Sequence, residues 1–198
     1  MRTIIVTGSS GLIGSESVKF FLNKNYKVIG IDNNLRKYFF GKDGDTKWNL
    51  LNLKKNKNFI HYSYDIRNYK ELKKIFDKNK KNINAIIHCA AQPSHDWAAK
   101  EPITDFSINA TGTLYLLELT RQYCKDSKFV LLSTNKVYGD TPNKLKFKEK
   151  NSRYEPINKK IATHGIDENM SIDNSKHSIF GASKVSSDIL VQEYGKYF

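Results

Sequence analysis

The sequence has few cysteines, few prolines and no long apolar run, and each scarcity excludes a class of protein. Its 198 residues contain two cysteines, Cys89 and Cys124, without metal-site spacing, so we expect buried thiols and no metal. No apolar run approaches the roughly 20 residues that span a bilayer, so no membrane association is expected. The strand predicted from Thr3 leaves no room for a secretory signal peptide, and the expected location is cytoplasmic.

Acidic residues are also scarce, with 20 against 33 basic residues and a formal net charge of +13. A charge of this size is typical of proteins that bind nucleic acid. However, only five of the basic residues are arginines, and the lysines cluster in Asn-rich stretches such as 54–58 and 78–82, which indicate solvated loops and helix ends. No nucleic-acid motif accompanies the charge, so we expect no nucleic-acid partner, although a basic surface attracts small anionic ligands.

A glycine-rich stretch, Thr7–Gly14, stands between a β-branched run and an amphipathic segment that begins at Ser15. This order predicts a strand, a turn and a helix, and the dipole and first amides of that helix favour a phosphate group. Gly8 permits a sharp turn, Gly11 leaves room for a pyrophosphate, and Gly14 lets the helix approach the strand. The spacing Gly-x-x-Gly-x-x-Gly therefore predicts a nucleotide cofactor.

Asp32 ends the second predicted strand, where an acidic side chain would meet the adenosine ribose of a dinucleotide. A carboxylate accepts hydrogen bonds from the ribose hydroxyls and repels a 2′-phosphate, so Asp32 favours NAD over NADP. The neighbouring Asn33 and Asn34 are included in the predicted cofactor site, whereas Arg36 weakens the preference for NAD slightly. The alternative is that Asp32 serves only as a turn or capping residue.

Strands and helices alternate along the rest of the chain. The predicted strands are 3–7, 27–31, 59–64, 85–89 and 129–132, and the predicted helices are 12–24, 68–79, 99–124 and 179–196, with a break near Pro102 left open. Residues 33–58 are predicted as a long loop with room for a short helix, and residues 139–176 as an irregular insertion. The alternation predicts an α/β fold, a Rossmann-like, doubly wound parallel sheet with flanking helices.

Polar residues follow the predicted strands at ends that should meet at one edge of the sheet. Asp65 follows the third strand and is expected either to reach an adenine amino group or to cap the next helix. After the fourth strand, the small pair Ala90–Ala91 permits close approach of a cofactor. His95 and Asp96 are then either site residues or capping and loop residues, and Asn109 needs a partner because Asn is unfavourable within a helix.

These motifs together resemble the extended short-chain dehydrogenases/reductases that act on nucleotide sugars. The resemblance spans essentially the whole chain and rests, in the family's order, on Thr7-Gly8-x-x-Gly11-x-x-Gly14, Asp32, Asp65-Ile66, His88-x-Ala90-Ala91, Asn109-x-x-Gly112-Thr113, Ser133-Thr134, Val137-Tyr138-Gly139 and Gly181-Ala182-Ser183-Lys184. Within the family, Ala90–Asp96 and Thr134–Asp140 are most similar to the CDP-paratose (tyvelose) 2-epimerases. The related 4,6-dehydratases carry Asp-Glu where this sequence has Asn135-Lys136, which argues against dehydration.

The resemblance implies NAD as the cofactor and a nucleotide sugar as the substrate, with a hydride leaving a sugar carbon and returning to its other face. It implies cofactor contacts from Gly8, Ser10, Gly11, Leu12, Ile13, Gly14, Asp32, Asn33, Asn34, Asp65, Ile66, Ala90, Ala91, Gln92, Asn109 and Lys184. It implies substrate contacts from Ser94, His95, Thr134, Asn135 and Lys136, with Thr134 bonded to the reacting hydroxyl. It also implies a homodimer through helices 99–124 and 179–196.

The family transfers protons with a tyrosine in the pattern Tyr-x-x-x-Lys, whose lysine lowers the tyrosine pKa and holds the nicotinamide ribose. This sequence has Lys184 but carries Phe180 four positions earlier, and a phenyl ring cannot take a proton. His177, Tyr138 and His164 are candidate substitutes. His177 is favoured because imidazole takes up and releases protons near neutral pH.

Residues 1–198 are therefore predicted to form one NAD-binding domain, without the family's C-terminal sugar-nucleotide domain. The expected function is that of an NAD-dependent nucleotide-sugar epimerase of the 2-epimerase type. Two alternatives stay open. The chain is either a non-catalytic or truncated NAD-binding module, or another nucleotide-sugar 4-epimerase or dehydratase of the same family.

Overall fold

The computed structural model describes residues 2–198, and a parallel sheet of five strands forms its centre. The strands are β1 (Thr3–Thr7), β2 (Lys27–Ile31), β3 (Phe59–Tyr62), β4 (Ile83–His88) and β5 (Lys128–Leu131). Their order across the sheet is β3-β2-β1-β4-β5. The order reverses between β1 and β4, which is the point where open α/β sheets bind ligands. The predicted doubly wound fold is confirmed.

Nine α-helices connect or follow these strands in the described part of the chain. They are α1 (Leu12–Asn23), α2 (Arg36–Phe40), α3 (Lys47–Leu53), α4 (Tyr69–Asn79), α5 (His95–Lys100), α6 (Pro102–Phe106), α7 (Gly112–Tyr123), α8 (Lys159–His164) and α9 (Ser178–Tyr197). Among residues 2–198, none of the helices combines the length and the apolar character needed to cross a membrane.

The apolar core lies on both faces of the sheet. Side chains alternate between the two faces of a strand, so consecutive residues of β1 enter different layers. Ile4 and Val6 pack in the layer that contains Val18 of α1, whereas Ile5 packs in the layer that contains Phe76 of α4. Burial on both faces explains why these strands are continuous apolar runs in the sequence. It also fixes the carboxyl ends of β1, β2 and β4 side by side.

Two predicted segments differ from the structure in their local order. Residues 33–58 contain α2, a 3-10 turn at Gly41–Gly44 and α3, so the prediction of a long loop is wrong for most of this segment. Helices of five to seven residues are too short to show a helical period in the sequence. Residues 139–176 contain a small hairpin, β6 (Phe147–Glu149) and β7 (Tyr154–Pro156), followed by α8. These elements are largely exposed, so they carry little apolar patterning.

The predicted helix 99–124 consists of several pieces. It begins earlier, at His95, and the break left open at Pro102 is present, because proline has no N–H for the preceding turn. A π-helical segment, Ser107–Thr111, then joins α6 to α7. Such segments are rare and occur often at functional sites. The one here contains Asn109.

Candidate functional site

A cavity of about 520 Å³ opens at the carboxyl ends of strands β1 to β4. Most of the predicted cofactor residues line it, namely Gly8, Ser10, Gly11, Leu12, Ile13, Gly14, Asp32, Asn33, Asp65, Ile66, Ala90 and Ala91. The other four, Asn34, Gln92, Asn109 and Lys184, lie outside its lining. The fold thus gathers motifs from four strand ends into one concave site. Half-buried Cys89 also lines the cavity, and burial raises the pKa of its thiol to about 11.

The glycine-rich turn has the geometry that the sequence predicts. Gly8 has a φ of +63°, and a Cβ there would lie 2.8 Å from the backbone nitrogen of Ala90. A Cβ on Gly14 would collide with the carbonyl oxygen of Gly8, because α1 passes so close to the turn. No side chain caps α1 at Gly11, so the first amides of the helix remain available to an anion at the cavity wall.

Ser10 and Asp32 form the polar wall beside this turn. The backbone N–H of Ser10 donates to Oδ2 of Asp32 at 2.9 Å, and the N–H of Asn34 donates to Oδ1 at 2.7 Å. Asp32 therefore shapes its own turn, as the alternative interpretation predicts, while its carboxylate also lines the cavity. The buried Oγ of Ser10 has no hydrogen-bond partner among residues 2–198. An unpartnered hydroxyl, an uncapped helix and two glycines that admit no Cβ fit the phosphates of a dinucleotide.

Residues 35–49, which we call the clasp, form a wall of the cavity that the sequence did not reveal. Its lining residues are Leu35, Arg36, Phe39, Asp43, Asp45, Thr46, Trp48 and Asn49. Nδ2 of Asn49 donates to the carbonyl oxygen of Ser10 at 3.1 Å and to Oγ of Ser15 at 2.9 Å. The clasp therefore supports the glycine-rich turn directly.

The clasp also contacts α5 and the residue that follows it. Nε1 of Trp97 donates to the carbonyl oxygen of Phe39 at 2.7 Å, and the hydroxyl of Tyr38 donates to Glu101 at 2.8 Å. The Trp97 ring packs against the rings of Tyr38 and Phe39. The only signal for this contact in the sequence is an aromatic run within a polar segment, Tyr38–Phe40.

Asp65 lies at the cavity edge and is held by Arg67. Burial alone would raise the pKa of the Asp65 carboxyl, but hydrogen bonds from Arg67 and Asn33 outweigh it and lower that pKa. The carboxylate is therefore ionised and oriented. The capping interpretation of Asp65 is wrong, because the side chain of Asn68 accepts the N–H of Glu71 and begins α4.

Asn109 and Gln92 belong to a buried polar network rather than to the cavity lining. Oδ1 of Asn109 accepts the N–H of Gln92 at 2.9 Å, and Nδ2 of Asn109 donates to Asp105 at 3.1 Å and Ser183 at 3.0 Å. Asp105 is fully buried and also accepts from Nε2 of Gln92. Burial raises the pKa of Asp105, although hydrogen bonds from Ser183 and Gln92 oppose this shift. The network supplies the partner that Asn109 needs and joins the loop after β4 to α9.

Lys184 is buried in α9 with its ammonium group at the end of β5. Nζ of Lys184 donates to the carbonyl oxygen of Leu132 at 3.1 Å, and only 4% of the residue is exposed. Burial lowers the pKa of Lys184, although Asp188 and Asp105 oppose this shift. A lysine placed in this way is a positioned donor close to where β4 and β5 end.

Thr134 follows β5 and starts a short 3-10 helix, Asn135–Tyr138. Its Oγ1 accepts the N–H of Lys136 at 3.3 Å. The carbonyl oxygen of Lys136 lies against Gly181 of α9, where a Cβ would come within 3.1 Å. The predicted substrate residues Thr134, Asn135 and Lys136 therefore form one turn beside the start of α9.

The candidate proton acceptors His177, Tyr138 and His164 lie in three different environments. Nε2 of His177 donates to the carbonyl oxygen of Ile172 at 2.8 Å. Its Nδ1 is buried against Gly139, with no partner within the part of the chain that the structure describes. Burial, followed by Glu168, Asp188 and Asp167, raises the pKa of the Tyr138 hydroxyl. His164 ends the exposed helix α8.

His95, the first residue of α5, lies on Phe180, and the predicted substrate residue Ser94 precedes it. The two ring centroids are 4.8 Å apart, and Nδ1 of His95 lies 3.2 Å from Oγ of Ser178. Ser94 caps α5 by accepting the N–H of Trp97 at 3.3 Å, and Asp96 lies in the first turn of that helix. The loop after β4 and the start of α9 thus meet at His95.

Comparison with known proteins places this arrangement in a family. Residues 4–198 match the NAD dependent epimerase/dehydratase family. The chain belongs to this family. Over 195 residues it is 33% identical to the CDP-paratose 2-epimerase of Salmonella typhi, covering 98% of this chain and 53% of that protein. Over 144 residues it is 38% identical to the UDP-glucuronate 4-epimerase of Thermodesulfobacterium geofontis, covering 72% of this chain and 42% of that protein.

A solved member of the epimerase/dehydratase family has the same fold. The UDP-glucose 4-epimerase of Thermus thermophilus in complex with NAD matches with a TM-score of 0.67 and 25% identity, over 98% of this chain and 51% of that one. The cofactor of this family is NAD, and the cavity offers the free first amides of α1, the unpartnered Ser10 hydroxyl and the Asp32 carboxylate to such a ligand. The chain spans about half the length of the relatives that it matches.

Proposed function

We propose that the chain is an NAD-dependent nucleotide-sugar epimerase of the CDP-paratose 2-epimerase type. The observation that carries this proposal is the turn Thr134–Lys136, which lies beside Lys184 at the end of β5 and next to the strand end that bounds the NAD cavity. The similarity to the Salmonella protein over nearly the whole chain supports it.

Each site residue has a role that follows from its position. When bound, NAD would supply the hydride acceptor and donor for a sugar carbon. The glycine-rich turn and the first amides of α1 would bind its pyrophosphate, and the Asp32 carboxylate would accept hydrogen bonds from the adenosine ribose hydroxyls. Lys184 is a fixed donor for the nicotinamide ribose, and Oγ1 of Thr134 hydrogen-bonds the sugar hydroxyl at the reacting carbon.

The residues after Thr134 favour epimerisation over loss of water. Elimination needs an acid and a base beside the sugar. The chain presents Asn135 and Lys136 on the 3-10 helix instead of two carboxylates. An amide cannot exchange a proton in this way, so the turn suits a substrate that is oxidised and reduced without losing a hydroxyl.

The direct test is to incubate the chain with NAD and CDP-paratose and to measure the 2-epimer by NMR. UDP-glucuronate and UDP-glucose are the comparison substrates. We expect the 2-epimer from CDP-paratose, and little product from the two uridine nucleotides. Inversion at carbon 4 of UDP-glucuronate without reaction of CDP-paratose would favour the 4-epimerase alternative, which the 38% identical relative supports.

A second candidate is a non-catalytic NAD-binding module. The observation that favours it is Phe180, a buried phenyl ring at the position of the family's proton-transferring tyrosine. If the wild-type chain does not convert the substrate but the Phe180→Tyr variant does, the chain is better described as a non-catalytic NAD-binding module. Turnover by the wild-type chain excludes the module.

We also propose that the chain forms a homodimer in the cytoplasm. The dimer would use α7 and α9 together with the helical segments before α7. Exposed apolar side chains on these elements, Ile103, Ile179 and Ile189, support such a contact. Light scattering should give twice the mass of one chain, and Ile189→Lys should shift the mass towards the monomer.

A further inference from the structure

His95 and Ser178 are two polar residues that lie together where the site lacks a proton acceptor. Oxidation of an alcohol releases the hydroxyl proton as well as a hydride, so the function proposed above requires a group that takes this proton. Phe180 has no atom that can do so, and its ring is only 8% exposed. The His95 ring covers it at a centroid distance of 4.8 Å.

Ser178 is held so that its hydroxyl can bond to His95. It has a φ of +62°, a left-handed conformation that is uncommon outside glycine and that clusters at functional sites. Its Oγ accepts the N–H of Gly181 at 3.2 Å, which fixes the oxygen at the start of α9. Nδ1 of His95 then lies 3.2 Å away, within reach of the serine O–H.

The nitrogen groups of His177 and Lys184 are less suitable as proton acceptors. Nε2 of His177 is committed to Ile172, and its Nδ1 is enclosed by Gly139. Nζ of Lys184 is buried and donates to Leu132. By contrast, His95 is exposed, so its imidazole can pass a proton to water or to the product.

Charged residues lie on the helix of His95 and on the two helices packed against it. Asp96 and Lys100 lie on the same helix, Asp105 of α6 is a buried carboxyl close enough to be affected by the charge of His95, and Lys184 of α9 affects the same carboxyl. An imidazolium at His95 would donate through Nδ1 to Ser178, so the same contact serves both protonation states.

We infer that Ser178 and His95 form the proton-transfer pair of this site and act on a hydroxyl of a nucleotide-linked sugar. As the carbon loses its hydride to the oxidised nicotinamide, the O–H electron pair becomes the second C–O bond. The hydroxyl proton passes to Oγ of Ser178, whose own proton passes to Nδ1 of His95. When the hydride returns, both protons move back, so the pair and the dinucleotide end in their starting states.

The first experiment tests the pair without turnover. Nitrogen NMR of the ¹⁵N-labelled chain reports the hydrogen bond at Nδ1 of His95, with NAD bound and without it. Ser178→Ala should shift the Nδ1 resonance of His95, and Ser186→Ala should not, because Ser186 is a half-buried serine of the same helix whose hydroxyl donates to the carbonyl oxygen of Ala182. An unchanged Nδ1 resonance in Ser178→Ala would overturn the inference.

The second experiment measures conversion of CDP-paratose, with UDP-glucuronate as the alternative substrate. His95→Gly should lower the rate by about 100-fold, the lower end of general acid–base effects, and added imidazole should restore part of it. His95→Gln, which keeps the side-chain volume better, should lower the rate to a similar extent. NAD binding and thermal unfolding show whether each variant is folded.

The outcomes separate this inference from the proposed function. A wild-type chain that turns over and a His95→Gly variant that keeps its rate would overturn the proton-transfer pair alone. A wild-type chain that converts neither nucleotide sugar would contradict the proposed function, and the Nδ1 resonance would then decide whether the pair exists.

Discussion

Nε1 of Trp97 donates a 2.7 Å hydrogen bond to the backbone carbonyl oxygen of Phe39. This contact joins α5, which begins with His95, to the clasp that walls the NAD cavity. The cavity and the predicted substrate loop are thus connected through the clasp. Binding of a ligand in the cavity is therefore expected to change the conformational order of the substrate loop, and binding at the loop is expected to change that of the cavity wall.

Trp97→Phe should weaken NAD binding by about three- to tenfold. The change keeps an aromatic ring between Tyr38 and Phe39 but removes the donor, and one hydrogen bond contributes about 1 kcal/mol. Isothermal titration calorimetry measures the effect. Tyr197→Phe, at an exposed ring near the end of α9, is the control and should bind NAD as the wild type does. Equal affinity of Trp97→Phe and wild type would show that the clasp does not contribute to NAD binding.

Gly14→Ala should abolish detectable NAD binding and destabilise the fold. Its Cβ would collide with the carbonyl oxygen of Gly8, and overpacking of this kind costs about 1–3 kcal/mol. Gly195→Ala is the matched control, since a Cβ there meets nothing within 4 Å. In that helix position alanine should raise the free energy of unfolding by roughly 0.5–1 kcal/mol. Urea denaturation measures both changes, and a Gly14→Ala variant as stable as wild type would contradict the close helix approach.

Asp32→Ala should lower the affinity for NAD by about 10- to 100-fold and reduce the preference for NAD over NADP. Hydrogen bonds to charged groups contribute about 1.5–3 kcal/mol, and removal of the carboxylate also removes the repulsion of a 2′-phosphate. Calorimetric titration with NAD and with NADP gives the ratio of the two affinities. The control is Asp77→Ala, at an exposed ion pair on α4. If Asp32→Ala has the same ratio of NAD to NADP affinity as the wild type, Asp32 stabilises the turn but does not select the dinucleotide.

Stability in acid should depend partly on Glu118, which joins α7 to α9. Hydrogen bonds from Arg121 and Tyr194 lower the pKa of Glu118 from 4.5 to about 2. Because the folded-state pKa is lowered, this stabilisation is complete above the unfolded-state pKa and is lost as the pH falls from about 4.5 to 2. The group is partly solvated, so its share stays below about 1 kcal/mol.

Urea denaturation at pH 7 and pH 3 measures this contribution. Glu118→Gln should narrow the difference in unfolding free energy between the two pH values. Glu193→Gln, at an exposed ion pair on α9, should leave it nearly as in the wild type. Equal pH dependence in Glu118→Gln and the wild type would contradict the assigned role.

The parts of the site that depend on local sequence could be predicted. The turn at Gly8 and the close packing at Gly14 follow from glycine spacing, and the parallel, doubly wound sheet follows from alternation of strands with helices. Asp32 is placed by its distance along the chain from the glycine-rich turn. The glycine spacing and the position of Asp32 both lie within one βαβ unit.

The parts that depend on long-range contacts could not be predicted. Phe39 and Trp97 are 58 residues apart, and Asp105 and Ser183 are 78 apart. No periodic pattern in the sequence indicates that residues so far apart are in contact. The sequence favours His177 as an imidazole, but it contains no signal that His95, from another loop, lies on the Phe180 ring.

The central claim is that the glycine-rich cavity binds NAD, and a calorimetric titration of the chain with NAD tests it most directly. We expect saturable binding of one NAD per chain, weaker binding of NADP, and loss of the signal in Gly14→Ala but not in Gly195→Ala. Absence of binding at millimolar NAD, in a chain shown to be folded, would contradict the account.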